Sequence, residues 1–139
     1  MEFLGNMYKK EKYWLIEIPC LDVLTQGTTQ KEAFSMGKEA VEELVYSYFG
    51  QKTKISVHDL SEGNISISTE NNKLLLALSL KRQREKKGLT IRDVTQKTKK
   101  TSPNNYSQYE RGEINITFDQ YEKFLRAINT NQHCVFGVI

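Results

Sequence analysis

The feature that most constrains this chain is the helix punctuation of its second half. Leu74 to Leu78 opens a strongly apolar run that turns basic through Lys81-Arg82-Gln83-Arg84-Glu85-Lys86-Lys87 and meets Gly88. A glycine there can end a helix in a left-handed turn, and cations in the last turn suit the negative helix end. Thr90 with Asp93 three residues on predicts the cap of a second helix, reaching about Thr98. Ser102 followed by Pro103 predicts a third, because proline at the first helical position gives up no hydrogen bond. That helix runs to Glu110, and Gly112 stops it. Thr117 and Gln120 form a capping box for a fourth, whose Phe118, Tyr121, Phe124, Leu125 and Ile128 recur as one apolar face. Short helices joined by tight turns bury such faces against one another, so a compact helical bundle is expected.

Charge separates this half from the first. Residues 1–72 hold 7 basic and 11 acidic groups, a net −4, whereas residues 73–139 hold 13 and 6, a net +7. Between Lys73 and Lys100 ten cations face only Glu85 and Asp93. Asymmetry of this kind points to two functional units, one of them suited to a polyanion. Charge alone does not require one, since basic surfaces are commonly just solvated. No apolar run is long enough for a membrane span. Met1-Glu2-Phe3-Leu4-Gly5 lacks a basic region leading into an apolar stretch, so a cytoplasmic protein without a signal peptide is expected. Cys20 and Cys134 then read as free thiols.

The first half reads β-β-β-α-β. Phe3 to Lys9 forms a short strand, and Lys10-Glu11-Lys12 a polar turn. Tyr13 to Ile18 is aromatic and β-branched until Pro19 stops it. Val23 to Gln26 is a third strand, closed by Gly27. Thr29 and Glu32 predict a capping box, followed by an apolar stripe of Ala33, Met36, Gly37, Ala40, Val41, Leu44 and Tyr48 on a helix ending near Gly50. Lys54 to Asp59 and Asn64 to Thr69 alternate apolar and polar residues as half-buried strands, with Ser61-Glu62-Gly63-Asn64 as the turn between them.

These residues carry a resemblance. Ile16-Glu17-Ile18-Pro19, then Leu24-Thr25-Gln26-Gly27-Thr28-Thr29, then Glu32-Ala33 and Glu39-Ala40, look like the N-terminal domain of HicB antitoxins. The resemblance implies a partial RNase H-like fold, catalytically silent, that neutralises a HicA-type mRNA interferase toxin. The acidic first half suits such a partner, because an RNA-cleaving protein presents a basic surface. Catalysis by this chain is not expected. Glu17, Asp22 and Asp59 show no paired spacing for divalent metal ions, and no His/Cys pair has zinc-ligand spacing. No metal or cofactor is expected.

The second half resembles Xre-type helix-turn-helix domains, through Arg84-Glu85-Lys86-Lys87-Gly88-Leu89-Thr90 and Tyr109-Glu110-Arg111-Gly112. The resemblance implies that Arg84 and Glu110 form a structural ion pair and that the third helix reads bases. On that helix Asn104, Asn105 and Gln108 are the candidate base contacts, since Asn and Gln can pair bidentately with adenine. Thr90, Arg92, Lys97, Lys99, Lys100, Ser102 and Arg111 are candidate phosphate contacts, each also explicable as a solvated side chain. Tyr106 and Tyr109 fall where the family is apolar, which implies core packing. Ile91 stands where the family usually has a phosphate-touching Gln, and the turn through Lys99-Lys100-Thr101 is one residue longer than usual.

Gln132 to Ile139 is an apolar, β-branched tail. A bare strand needs an edge to pair with. Cys134, Val135, Phe136 and Val138 are therefore expected to pair across a homodimer, or a higher even oligomer, unless the tail packs within one chain. The expected fold class is α+β. Residues 1–70 form the RNase H-like, toxin-neutralising domain. Residues 73–139 form a small all-α helix-turn-helix domain with a C-terminal strand, for operator DNA and dimerisation. Two functions fit: an autoregulating antitoxin, or a stand-alone transcriptional regulator with a small-molecule-sensing first domain. Few convergent polar groups in residues 1–72 could build the sensor's pocket, which ranks it second.

Overall fold

A computed structural model describes residues 1–138. They divide into two compact units, Met1–Leu75 and Leu76–Ile139. In the first, strands β1 (Phe3–Lys10), β2 (Tyr13–Ile18) and β3 (Val23–Gly27) form a meander, with a short 3-10 turn at Pro19–Leu21. Helix α1 (Gln30–Phe49) follows, then the hairpin of β4 (Ser56–Ser61) and β5 (Asn64–Ser68), so the order is β-β-β-α-β-β, one strand more than the expected β-β-β-α-β because both alternating segments after α1 pair. The sheet order is β3-β2-β1-β5-β4, with every neighbouring pair antiparallel. Register places Met7 opposite Ile16, and Phe3 opposite Ile67. These four are buried with Ile18 and Ile65, as the period of two requires for a face that excludes water. Gly37 of α1 lies against that face, where a Cβ would come within 3.2 Å of Ile16.

Two details of α1 differ from the sequence reading. Its buried residues are Ala33, Gly37, Val41 and Val45, a steady i, i+4 row, and Met36 is exposed. The predicted stripe shares Ala33, Gly37 and Val41 with that row and misses Val45, while its Ala40, Leu44 and Tyr48 are half-buried. The capping box is also only half formed. Thr29 Oγ1 accepts from the Glu32 N–H, while the Glu32 carboxylate turns to the N–H and hydroxyl of Thr28. Those two bonds hold Glu32 below the usual carboxylate range.

The unit boundary falls within α2 (Asn72–Lys86). Helices α3 (Ile91–Thr98), α4 (Pro103–Glu110) and α5 (Phe118–Ile128) complete the second unit. Their starts follow the caps: Thr90 accepts from Asp93, Ser102 from Asn105 and Thr117 from Gln120. Gly88 and Gly112 sit at φ 68° and 67°, where an L-residue would be strained. The core gathers Leu80, Val94, Tyr106, Tyr109, Tyr121, Phe124, Leu125, Ala127 and Ile128. Tyr106 meets Phe124 edge-on at 5.0 Å, a favoured ring geometry. The Tyr121 hydroxyl is satisfied inside the core by Ser79 Oγ at 2.7 Å.

Phe118, predicted for the core face, is exposed and meets Phe136 edge-on instead, with ring centroids 4.4 Å apart. It is the first residue of α5, and the rest of its face converges only one turn later. The tail also departs from expectation. Residues 132–138 form no strand, and Ile139 lies outside the described residues. An all-helical unit offers no strand edge, so side chains hold the tail instead. Gln132 Nε2 donates to Gln83 at 2.8 Å, Cys134 packs on the core, and Phe136 rests on Phe118. Burial, and then the Glu122 charge, push the Cys134 thiol up. Neither Cys20 nor Cys134 forms a disulfide among the described residues. Among the described residues no helix is long and apolar enough to cross a membrane.

Candidate nucleic-acid interface

Helix α4 has two faces with different tasks. Tyr106, Tyr109 and Glu110 are buried, while Asn104, Asn105 and Gln108 are exposed. The spacing explains the split. Positions 104 and 108 lie four apart, 105 and 108 three apart, and 106 and 110 four apart on the opposite side. The outward row therefore carries amides that can each offer a donor and an acceptor to a base edge.

What fixes that row is a buried polar lock behind it. Arg84 on α2 donates from Nε to Glu110 Oε1 at 2.7 Å, and from Nη2 to Oε2 at 3.0 Å. Its Nη1 caps the Leu89 carbonyl at 2.9 Å. Tyr106 adds its hydroxyl to Glu110 Oε1 at 2.7 Å. The Arg84 and Glu110 side chains are only 12% and 4% exposed. The Glu110 hydrogen bond raises the Arg84 pKa, so the guanidinium keeps its proton. Burial, and then the Glu110 charge, push the Tyr106 phenol far above its ordinary range, so it remains a donor. Three elements are thereby held in one orientation: α2, the Leu89 turn and α4. Tyr106 was the member that sequence reasoning cast only as packing; its i, i+4 spacing from Glu110 was the available signal.

The candidate phosphate contacts Thr90, Arg92, Lys97, Lys99, Lys100, Ser102 and Arg111 are all exposed. Their surroundings differ. The start of α3 is already served by an anion, because Asp93 accepts from the Thr90 N–H at 2.7 Å. That bond holds the Asp93 carboxyl below its usual range and leaves Thr90 a poorer phosphate site. The first turn of α4, behind Ser102, carries no acidic residue. Arg111 is engaged within the chain: Nε and Nη2 reach Glu113 at 2.8 and 3.1 Å, and Nη1 reaches Ser107 at 2.7 Å. Each partner stabilises the other's charge, raising the Arg111 pKa and lowering that of Glu113. Ile91 is half-buried against the core, so the position of the family's Gln serves packing here. The longer turn is taken up by Lys99, at φ 55°, with the Lys100 N–H closing on the Thr98 carbonyl at 2.6 Å. Gln96 is exposed one turn beyond Arg92 on α3.

A helix-turn-helix family model matches residues 80–131, less than half of the chain. That span contains the lock, the outward row of α4 and the turn between α3 and α4. The class so defined is a DNA-binding transcriptional regulator. No curated protein and no solved structure matches the chain.

Proposed function

We propose that the chain is a HicB-type antitoxin. In this reading residues 73–139 repress the chain's own operon by binding operator DNA. Residues 1–70, read as a partial RNase H-like domain, bind and neutralise a HicA-type mRNA interferase. The chain itself has no catalytic role. The observation that carries the operator half is the exposed Asn104, Asn105 and Gln108 row over the Arg84–Glu110–Tyr106 lock. Support for the antitoxin half comes from α1. Opposite its buried row, Glu32, Met36, Glu39, Glu43 and Tyr46 are exposed at steps of three and four, forming one acidic and apolar stripe. Such a stripe matches a basic protein surface in charge and can exclude water from it. Cys134, Val135, Phe136 and Val138 are read as the segment that pairs with a second copy. Two-fold pairing suits palindromic half-sites.

Co-expression with a HicA-type toxin tests the reading. The chain should restore growth and co-purify with the toxin, and Glu39→Lys/Glu43→Lys should abolish both while sparing operator binding. Continued growth arrest in the presence of the wild-type chain would remove the antitoxin reading and leave the regulator with a sensing domain. Gln108→Ala should relax operator preference by about 1–3 kcal/mol. Unchanged preference would move base reading off α4.

A further inference from the structure

The first unit is acidic overall, yet three of its eight cations, Lys9, Lys10 and Lys12, fall within four positions at the β1–β2 turn. All three are exposed. Aromatic residues flank them: Tyr8 on one strand, Tyr13 and Trp14 on the other. The ladder pairs Lys10 with Tyr13, Lys9 with Trp14 and Tyr8 with Leu15. Residues opposite each other in an antiparallel pair share a face. Tyr8, Lys10 and Tyr13 therefore lie on the face turned away from Met7, Ile16 and α1. Lys9 and Trp14 lie on the other. Tyr8 is 40% exposed. The Lys12 ammonium stands 5.3 Å from the Tyr13 ring centre, and that of Lys9 stands 5.8 Å from Trp14.

We propose that this hairpin tip binds single-stranded nucleic acid. Tyr8 and Tyr13 are diagonal neighbours, about 7–8 Å apart by strand geometry. Two rings at that spacing offer neighbouring unstacked bases a platform, and the lysines beside them meet the phosphates between those bases. A duplex hides its base faces and could use only the lysines. An acidic protein could use the lysines but has no need of paired rings. The occupant that uses both groups is a single strand, DNA or RNA. This surface is separate from α4 and independent of the antitoxin reading.

The test uses the full chain and labelled homopolymers of about ten nucleotides, dT and rU, followed by fluorescence anisotropy. Saturable binding is expected, with a log–log salt slope of about −1.4 for the two phosphates met by Lys10 and Lys12. Lys10→Glu/Lys12→Glu should weaken it at least about tenfold and flatten the slope. Tyr13→Ala should weaken it about tenfold and leave the slope unchanged, with Tyr13→Phe restoring it. Gln108→Ala should bind like wild type. A preference between dT and rU names the natural source. No saturable binding by the wild type, or hairpin variants that bind as it does, overturns the proposal. So does loss of binding in Gln108→Ala alone.

Discussion

Arg84→Met isolates the polar lock. The substitution keeps a long side chain for packing but removes both charged donors to Glu110, at 2.7 and 3.0 Å, and the donor to the Leu89 carbonyl. Glu110, 4% exposed, is left with the Tyr106 hydroxyl. Each lost charge-assisted bond is worth about 1.5–3 kcal/mol, and a buried carboxylate stripped of its cation costs about 3–5 kcal/mol in all. A unit of this size holds only about 3–10 kcal/mol of stability. Melting of the helices, followed by far-UV circular dichroism, should therefore drop by roughly 12 °C or more. Trp14 fluorescence, which follows the sheet unit, is the internal control. The partner variant decides the cause. Arg84→Met/Glu110→Leu removes the stranded charge, and apolar replacement of a buried pair is often neutral. The double variant should recover most of the loss. A single variant costing under about 1 kcal/mol, or a double variant worse than the single, would refute this account of the lock.

Other expectations follow from the same geometry. Glu113→Ala frees Arg111 from its intrachain pair and should tighten operator binding, steepening the salt slope by about one unit; an unchanged slope keeps Arg111 away from DNA. Lys99→Gly relieves a positive φ while deleting a cation, so it should raise stability by about 0.5–1 kcal/mol in urea melts and yet weaken binding to every sequence. Asp93 is held below its unfolded pKa by Thr90, so its capping contribution is present above about pH 4 and fades as pH falls through the lowered value. Asp93→Asn should therefore flatten the acid limb of the stability curve, and a parallel curve would place the acid sensitivity elsewhere.

Much of the second unit was legible because caps are local chemistry. Thr90, Ser102 and Thr117 each fix a helix start through an atom three residues away, and Gly88 and Gly112 fix the ends. Rivals for the same side chain were less legible. Glu32 fits a capping box by spacing, yet its carboxylate is taken by Thr28. Arg111 counts as one more cation in the sequence, yet Glu113 two residues on neutralises it. Phe118 matches the period of α5, but Phe136 claims it from the tail. In the first unit, alternation revealed the strands but not their order. The antiparallel seating of β5 beside β1 joins residues about sixty positions apart and leaves no local trace.

The 13 basic side chains of residues 73–139 overstate what one copy can bring to DNA. Arg84 is consumed by the lock and Arg111 by Glu113, while Asp93 occupies the start of α3. If the tail joins two copies, pairing two domains on adjacent half-sites adds affinity through a high effective concentration. That makes the tail matter to affinity although it holds no Lys or Arg. Val135 and Val138 are 76% and 101% exposed, so changing them removes little from the folded chain itself. Val135→Ser/Val138→Ser alters no charge. If the tail joins two copies, this variant should sediment as a monomer, melt like wild type and bind a palindromic operator at least about tenfold more weakly, while a lone half-site is bound as before. A variant that stays dimeric would place the two-fold contact elsewhere. One that becomes monomeric and still holds the palindrome as tightly would show that one copy supplies the affinity, despite its spent cations.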